Sequence, residues 1–274
     1  MKIFKAVPAA VILLLSAGLT AQAEPIHPQL SSKHNIILGV YEQTADAKFY
    51  ANPDEIGKAT IDLGDLGIDD TDFSYLLEYR YRLNEKWLFS IGTFQFGTTG
   101  TLEGKRDFVF DGVEFEAGAN LDTTLDVDTY MIEAMYSVYK SDRAEILLGA
   151  GLHMFDFSAS IDSRVFVGEQ ERAGSSASDD ILAPLPNLRA QGFYALSPKW
   201  GLAVTLGWLS AKYEDYDGSF AYLHARTMYR FTERFGVGVG YQYIDADLSH
   251  DRDKGEIGFE IQFDGPAAYL AYSF

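Results

Sequence analysis

Three aspartates and a histidine share one short stretch of the chain, Asp245, Asp247, His250 and Asp251, and an adjacent pair, Asp69 and Asp70, lies far upstream. A carboxylate that orients a histidine can make it a general base for activating water, which is hydrolase chemistry. In an aspartate-rich chain such combinations arise by chance, and neither Gly-x-Ser-x-Gly nor His-Glu-x-x-His occurs. The same segments are rich in hard oxygen: Asp62, Asp65, Asp69, Asp70 and Asp72 in one, Asp245, Asp247, Asp251, Asp253 and Glu256 in the other. Flexible oxygen sites suit Ca²⁺ or Mg²⁺. Neither segment fits the pattern Asp-x-[Asp/Asn]-x-[Asp/Asn]-Gly with its distal Glu, so solvated loop charge is the plainer reading. The expectation is no catalytic residue, no metal site and no cofactor.

A third set of chemically capable residues is spread along the chain at alternating positions. It comprises Glu78, Arg80 and Arg82, then Glu133, then Glu145 and His153, then Asn187, Arg189 and Gln191, then His224, Arg226 and Arg230. Successive side chains of a strand point to opposite faces, so these groups share one face while their apolar neighbours share the other. Mixed charges on an enclosed face must be paired or hydrated. A salt-bridged filling is the structural reading; a charged wall that selects solutes is the functional one.

The elements that carry this set are clearest at the end of the chain. Phe235, Val237, Val239, Tyr241 and Tyr243 alternate with Gly236, Gly238, Gly240 and Gln242, and Leu270, Tyr272 and Phe274 alternate with Ala271 and Ser273. A period of two marks a half-buried strand. The same alternation recurs in Asn35–Lys48 (Ile36, Leu38, Val40 against Gly39, Tyr41, Gln43) and in Phe73–Leu83, and again in Trp87, Phe89 and Ile91. It continues in Tyr130–Val138, Ile146–Met154, Leu188–Tyr194, Trp200–Trp208 and Leu223–Phe231. Between them, Asn84-Glu85, Ser141-Asp142, Ser197-Pro-Lys199 and Thr232-Glu-Arg234 read as short turns on one side. The excursion Thr98–Asp126, with a hairpin signal at Asp111-Gly112, and the Ser/Gly/Asp-rich stretch Ser160–Asp180 read as long loops on the other, the second of them mobile. Asp217-Gly218 reads as a hairpin tip.

Lys2 and Lys5, the apolar run Val11–Leu15 and Ala21-Gln22-Ala23 give residues 1–23 the form of a cleaved secretory signal, leaving 24–274 as one domain. No cysteine is present, so the domain does without disulfides in a compartment that permits them. Lys plus Arg number 22 against 40 Asp plus Glu, a net −18; loss of Lys2 and Lys5 makes it −20. Nucleic acid, which needs clustered positive charge, is not an expected partner. Aromatic residues make up 14% of the chain and there are 25 glycines, with no apolar run of helix-spanning length after the signal. A membrane crossing would therefore use strands whose backbone groups pair in a closed ring. The predicted fold is all-β, a transmembrane antiparallel up-and-down barrel of about ten strands, with eight or twelve as alternatives.

One irregularity interrupts the pattern. Ile257, Phe259, Ile261 and Phe263 fall on the opposite parity to Leu270, Tyr272 and Phe274, and Ile244, Ala246 and Leu248 are similarly out of phase with Phe235–Tyr243. A β-bulge is the simplest account. The alternative is that both strands continue unbroken and that these side chains form an apolar plug or pocket beneath the loops.

Asp65-Leu-Gly-Ile-Asp-Asp70, Glu78-Tyr-Arg-Tyr-Arg-Leu83, Gly149-Ala-Gly-Leu-His153, Ala183-Pro-Leu-Pro186, Ala195-Leu-Ser-Pro-Lys-Trp200, Asp215-Tyr-Asp-Gly218 and Gly265-Pro-Ala-Ala-Tyr-Leu-Ala-Tyr-Ser-Phe274 are carried by the chain. Together these resemble a widespread, functionally uncharacterised group of small porin-like or surface β-barrels in the outer membrane of Gram-negative bacteria. Tyr269 stands where a glycine is often seen. The resemblance implies a barrel in the outer membrane, reached through the periplasm and the barrel-assembly machinery. It implies contact with outer-membrane lipid and lipopolysaccharide, and no catalytic residues. The expected role is that of a structural or surface-exposed envelope protein without catalysis. The alternative is a small gated pore. Outer-membrane proteases of the omptin type are also ten-stranded with acidic residues and a histidine at the rim, which makes a rim protease the third reading, although the remaining motifs do not look like omptins. Oligomeric state is not legible.

Overall fold

The computed structural model describes residues 26–53, 59–62, 71–103, 108–110, 113–115, 118–167, 170–172, 176–213, 216–252 and 255–274. The expected signal, residues 1–23, lies outside them. Ten long strands form the wall: β1 (His34–Pro53), β2 (Thr71–Arg82), β3 (Trp87–Glu103), β4 (Asn120–Lys140) and β5 (Ala144–Val167), then β6 (Ser176–Ala195), β7 (Trp200–Tyr213), β8 (Tyr216–Arg230), β9 (Phe235–Arg252) and β10 (Gly255–Ser273). Each pairs antiparallel with its sequence neighbour, and β10 returns to β1, where Asn35 faces Ser273. The ring is sealed by mutual bonds of 3.0 Å between the backbones of His34 and Phe274. Ala59–Asp62 adds to β1 and Gln170–Arg172 to β5, while Phe108–Phe110 pairs with Val113–Phe115 as the Asp111-Gly112 signal predicts.

The four short turns at the lower end share one device. Asn84 Oδ1 accepts from the amides of Lys86 and Trp87, both at 2.9 Å. Ser141 Oγ accepts from Arg143 and Ala144 at 3.3 and 3.0 Å, Ser197 Oγ from Lys199 and Trp200 at 3.2 and 3.0 Å, and Thr232 Oγ1 from Arg234 and Phe235 at 3.2 and 2.9 Å. A short polar side chain that bonds the backbone two and three residues on holds the reversal without help from the rest of the chain.

Three expectations need correcting. First, no bulge separates the two apolar phases: the β9–β10 register runs unbroken from Phe235↔Tyr272 to Arg252↔Gly255. A register shift occurs instead between Ser137 and Tyr139, where β4 meets β5. Second, Ser160–Asp180 is largely strand, with Ser160 paired to Ser178, and both ends of the Thr98–Asp126 excursion are strand as well, with Thr99 paired to Thr124. Their polar composition marks a wall wetted on the outside, which reads like a loop by residue type alone. Third, Asp217 and Gly218 pair with Lys212 and Ala211, so the reversal falls between Tyr213 and Tyr216.

The unbroken register explains the phase change. In β3, Trp87, Phe89 and Ile91 face outward, and Phe94 and Phe96, higher up, face inward and are fully buried. In β9 the outward set Phe235, Val237, Val239 and Tyr241 gives way to inward Ile244 and Ala246; in β10, inward Phe259, Ile261 and Phe263 stand above outward Leu270. The backbone keeps its parity while the medium outside changes from hydrocarbon to water. Above the change, Asp46, Asp126, Asp156, Asp245 and Glu260 are among the exposed outward residues. The lower wall is apolar outside and polar inside; the upper wall is the reverse.

Inside the upper half Phe94, Phe96, Phe155, Phe157, Phe220, Phe259 and Phe263 pack with Ile244, Ile261, Leu125 and Val127. Ring centroids approach to 4.8 Å for Phe157–Phe259 and 5.5 Å for Phe96–Phe263. Tyr269 also turns inward, and the glycines of the flanking strands make room for it. A Cβ on Gly39 would stand 2.9 Å, and one on Gly240 3.1 Å, from its ring.

Candidate functional site

The polar layer fills the lower half of the barrel, and each of its members is placed by strand parity. Glu78, Arg80, Arg82, Glu133, Glu145, His153, Arg189, His224, Arg226 and Arg230 all point into the lumen, as do Asn187 and Gln191, and all but Glu78 and Glu133 are buried. Arg82 and Glu145 form a two-pronged pair, Nη1–Oε1 2.9 Å and Nη2–Oε2 2.6 Å. Glu78 lies between two guanidiniums, 3.1 Å from Arg226 Nη1 and 3.3 Å from Arg80 Nε. Arg80 Nη2 donates to Gln191 Oε1 at 2.7 Å. Glu133 accepts from Arg189 Nη2 and, at 2.7 Å, from Ser90 Oγ. Arg189 also stacks over the Tyr222 ring, 4.1 Å from its centroid, a cation–π contact that offsets part of its desolvation.

The histidines are structural in their contacts. His153 Nδ1 shares a 3.2 Å bond with Asn187 Nδ2, and His224 Nε2 shares a 2.7 Å bond with the Tyr269 hydroxyl. Arg230, at the turn end of β8, donates to the Arg234 carbonyl at 3.2 Å and to Asn35 Oδ1 at 3.4 Å, and has no carboxylate partner among the described residues. The layer thus sets Arg80, Arg82, Arg189, Arg226 and Arg230 against only Glu78, Glu133 and Glu145. The excess appears as N–H groups without a protein acceptor, among them Arg80 Nη1, Arg82 Nε, Arg189 Nη1 and Arg230 Nε. A small cavity beside the layer, lined by Glu78, Ser90, Glu133 and Gln242 among others, measures ≈30 Å³.

Sequence reading passed over the piece that closes the lower mouth. Pro28–Ser31 forms a short helix whose Leu30 is fully buried against Phe193, Ala195 and Ala203, with Ile26 packed beside it. His27 Nδ1 caps this helix by accepting from Gln29 N at 3.1 Å, while its ring tilts over Phe193, centroids 5.1 Å apart. Proline in the first turn after a capping residue is the signal that could have found it. Ser90, between Phe89 and Ile91, was also missed, although parity alone places it inward.

Burial, and then the nearby Arg230 charge, lower the His27 pKa from 6.5 to about 4. A depressed histidine means that the docked segment holds fewer protons than the released one. Docking is therefore fully stable above about pH 6.5, weakens as pH falls through 6.5 towards 4, and levels off below, by up to about 3 kcal/mol. Amide hydrogen exchange over residues 26–32 is expected to accelerate across that window, and His27→Gln is expected to remove the dependence.

Of the residues singled out as a protease rim, Asp245 and Asp247 are the ones whose side chains are described. Asp245 faces outward and accepts from Tyr243 Oη at 3.0 Å; Asp69, Asp70 and the side chains of His250 and Asp251 lie outside the described residues. Asp65, Asp253 and Glu256 of the acidic segments fall there too, at least in their side chains. Among the described residues no three carboxylate or histidine groups are grouped as a metal would require.

A closed ring of ten antiparallel strands with an apolar outer band and a polar lumen is the architecture of a transmembrane barrel. The chain matches the outer membrane protein beta-barrel domain over residues 9–274, and it belongs to that family. The match places it in the outer membrane. It matches none of the curated proteins. Among solved structures it is similar to the outer membrane protease OmpT from Escherichia coli, at 11% identity and a TM-score of 0.61, covering 88% of this chain and 96% of that one. It is less similar to Neisserial surface protein A (12% identity, TM-score 0.34, 89% and 98% covered) and to the Pseudomonas putida toluene transporter TodX (10%, 0.34, 92% and 93%). At these identities the likeness is one of fold alone.

Proposed function

We propose that this protein is a non-catalytic structural or surface-exposed barrel of the envelope, closed to solutes. The observation that supports this reading is the filled interior. The Ile26–Ser31 stopper, the arginine–glutamate layer and the phenylalanine cluster are stacked one above another. Among the described residues, the cavity beside the arginine–glutamate layer measures ≈30 Å³, room for about one or two waters. A selective pore needs a hydrated, polar path, and the upper half of this lumen is apolar. Folded protein in planar bilayers is expected to give no channel events; stable unitary currents would overturn the closed reading in favour of a small gated pore.

Peptide cleavage is the reading that the likeness to OmpT favours. Against it, none of His27, His34, His153 and His224 hydrogen-bonds a carboxylate. Peptide hydrolysis abolished by His250→Ala would restore it. In the proposed life cycle residues 1–23 direct export and are removed, the assembly machinery inserts the barrel, and lipid and lipopolysaccharide surround its apolar band.

A further inference from the structure

The outward acids of the upper wall have a counterpart at the other end of the barrel, where bases collect. Each of the four lower turns carries one, as Asn84-Glu-Lys86, Ser141-Asp-Arg143, Ser197-Pro-Lys199 and Thr232-Glu-Arg234, and Ser31-Ser-Lys33 brings a fifth at the entry to β1. All five are exposed. In a chain of net charge −18, one base at every lower connection is a local feature that composition does not supply. Two of the five are held against the apolar band. Lys33 Nζ lies 5.8 Å from the centroid of the Tyr81 ring, and Lys86 Nζ 5.8 Å from that of Tyr136. Tyr81 faces Phe89 across β2 and β3, and Trp87 faces Tyr136 across β3 and β4. The two ammonium groups therefore bracket an outward aromatic wall two strand spacings, about 10 Å, wide. Within it Trp87 stacks on Phe89 and meets Tyr136 edge-on, with centroids 6.1 and 5.2 Å apart. Lys86 Nζ also donates to the Ser137 carbonyl at 3.5 Å, and the Lys33 ammonium has no hydrogen bond or ion pair with another described residue. Glu85, the acid of the adjoining turn, is held by Lys140 at 2.6 Å.

Short turns of such barrels face the periplasm, so this edge of the band lies among the headgroups of the periplasmic leaflet. An ammonium held over an outward ring at that level is within reach of a lipid phosphate, and the aromatic wall offers a face to the acyl chain of the same lipid. A soluble partner is disfavoured, because the rings beneath the two lysines border hydrocarbon. Phosphate is common to all glycerophospholipids; what separates them is the group beyond it. An ethanolamine headgroup carries its own ammonium, which two lysines repel, and the side-chain carboxylate that could compensate is already engaged by Lys140. A glycerol headgroup brings no cation and leaves the lipid with a net negative charge, which basic residues beside a membrane surface attract. We propose that Lys33 and Lys86, with the aromatic wall between them, form a binding site for the phosphate of an anionic glycerophospholipid of the phosphatidylglycerol type. The site depends on residence in the membrane and is independent of whether the lumen conducts.

Native mass spectrometry of the full barrel in detergent, titrated separately with phosphatidylglycerol and phosphatidylethanolamine of the same acyl composition, tests this. Retention of phosphatidylglycerol is expected at about ten-fold lower concentration than phosphatidylethanolamine, the order that two lysines at a membrane surface supply. Lys33→Gln with Lys86→Gln should remove the preference, and Lys33→Arg with Lys86→Arg should keep it. Lys48 and Lys212 lie exposed towards the long loops; Lys48→Gln with Lys212→Gln makes the same change in net charge there and should leave the preference intact. Excess inorganic phosphate should not displace the retained lipid, because the acyl chain contributes to its hold. Equal retention of the two lipids, a preference for phosphatidylethanolamine, or a preference that survives loss of both lower lysines would each overturn the assignment. So would an equal loss in the Lys48 and Lys212 variant, which would make the effect one of total charge, or displacement by inorganic phosphate, which would make it a bare anion site.

Discussion

Replacing Glu145 with alanine is expected to lower the unfolding free energy of the barrel by about 3–5 kcal/mol. Glu145 is 2% exposed and is the carboxylate partner of Arg82, which is itself 7% exposed. Removing it strands a guanidinium whose Nε already lacks an acceptor. The intact pair is not itself worth that much, since two desolvated ions return most of their attraction as lost hydration. The double replacement Arg82→Met with Glu145→Leu is accordingly expected to recover most of the loss. Urea unfolding of protein folded into lipid vesicles measures both. Equal destabilisation of the single and double variants would mean that Glu145 acts through something other than its pairing.

Phe263→Ala is expected to cost a similar amount, about 3–5 kcal/mol. Its ring is wholly buried in the upper lumen, against Phe94 edge-on at 6.5 Å and Phe96 at 5.5 Å. The neighbouring Gln262 points outward on the same strand. Gln262→Ala is expected to change stability by less than about 0.5 kcal/mol. The contrast between these adjacent positions tests whether the upper wall is built like a water-soluble barrel, with its core inside. Comparable effects at both positions would show that it is not.

Much of this architecture is legible in the residues because a strand has a strict period. Once Tyr79 and Tyr81 are placed outward, Glu78, Arg80 and Arg82 have nowhere to go but in, and the same logic places Glu133, Arg189 and Arg226. What period alone does not show is which side is greasy. Phe259, Ile261 and Phe263 look displaced only if the outside is taken to be lipid along the whole strand; the register of β9 and β10 shows that they are simply above it. Strand ends were underestimated for the same reason, since the seryl and aspartyl residues of 160–180 resemble a loop when their outward face meets water. The stopper escaped notice because a four-residue helix has no period to detect. The partners inside the lumen were not legible at all: that Arg226 of β8 reaches Glu78 of β2 depends on the bore of the ring, which no local pattern encodes.

The seam at which Asn35 meets Ser273 also constrains how the molecule is made. Every other strand pairing in the ring joins neighbours in sequence, whereas this one must unite segments more than two hundred residues apart. Its loop-closure entropy is the largest in the wall, although that cost grows only slowly with separation. Until it forms, the nascent sheet has two open margins whose unpaired amides and carbonyls would recruit any extended polypeptide nearby. Newly synthesised molecules should therefore pass through a long-lived, sticky precursor, and escorts that cover those margins would govern yield more than the strength of any contact within the finished cylinder.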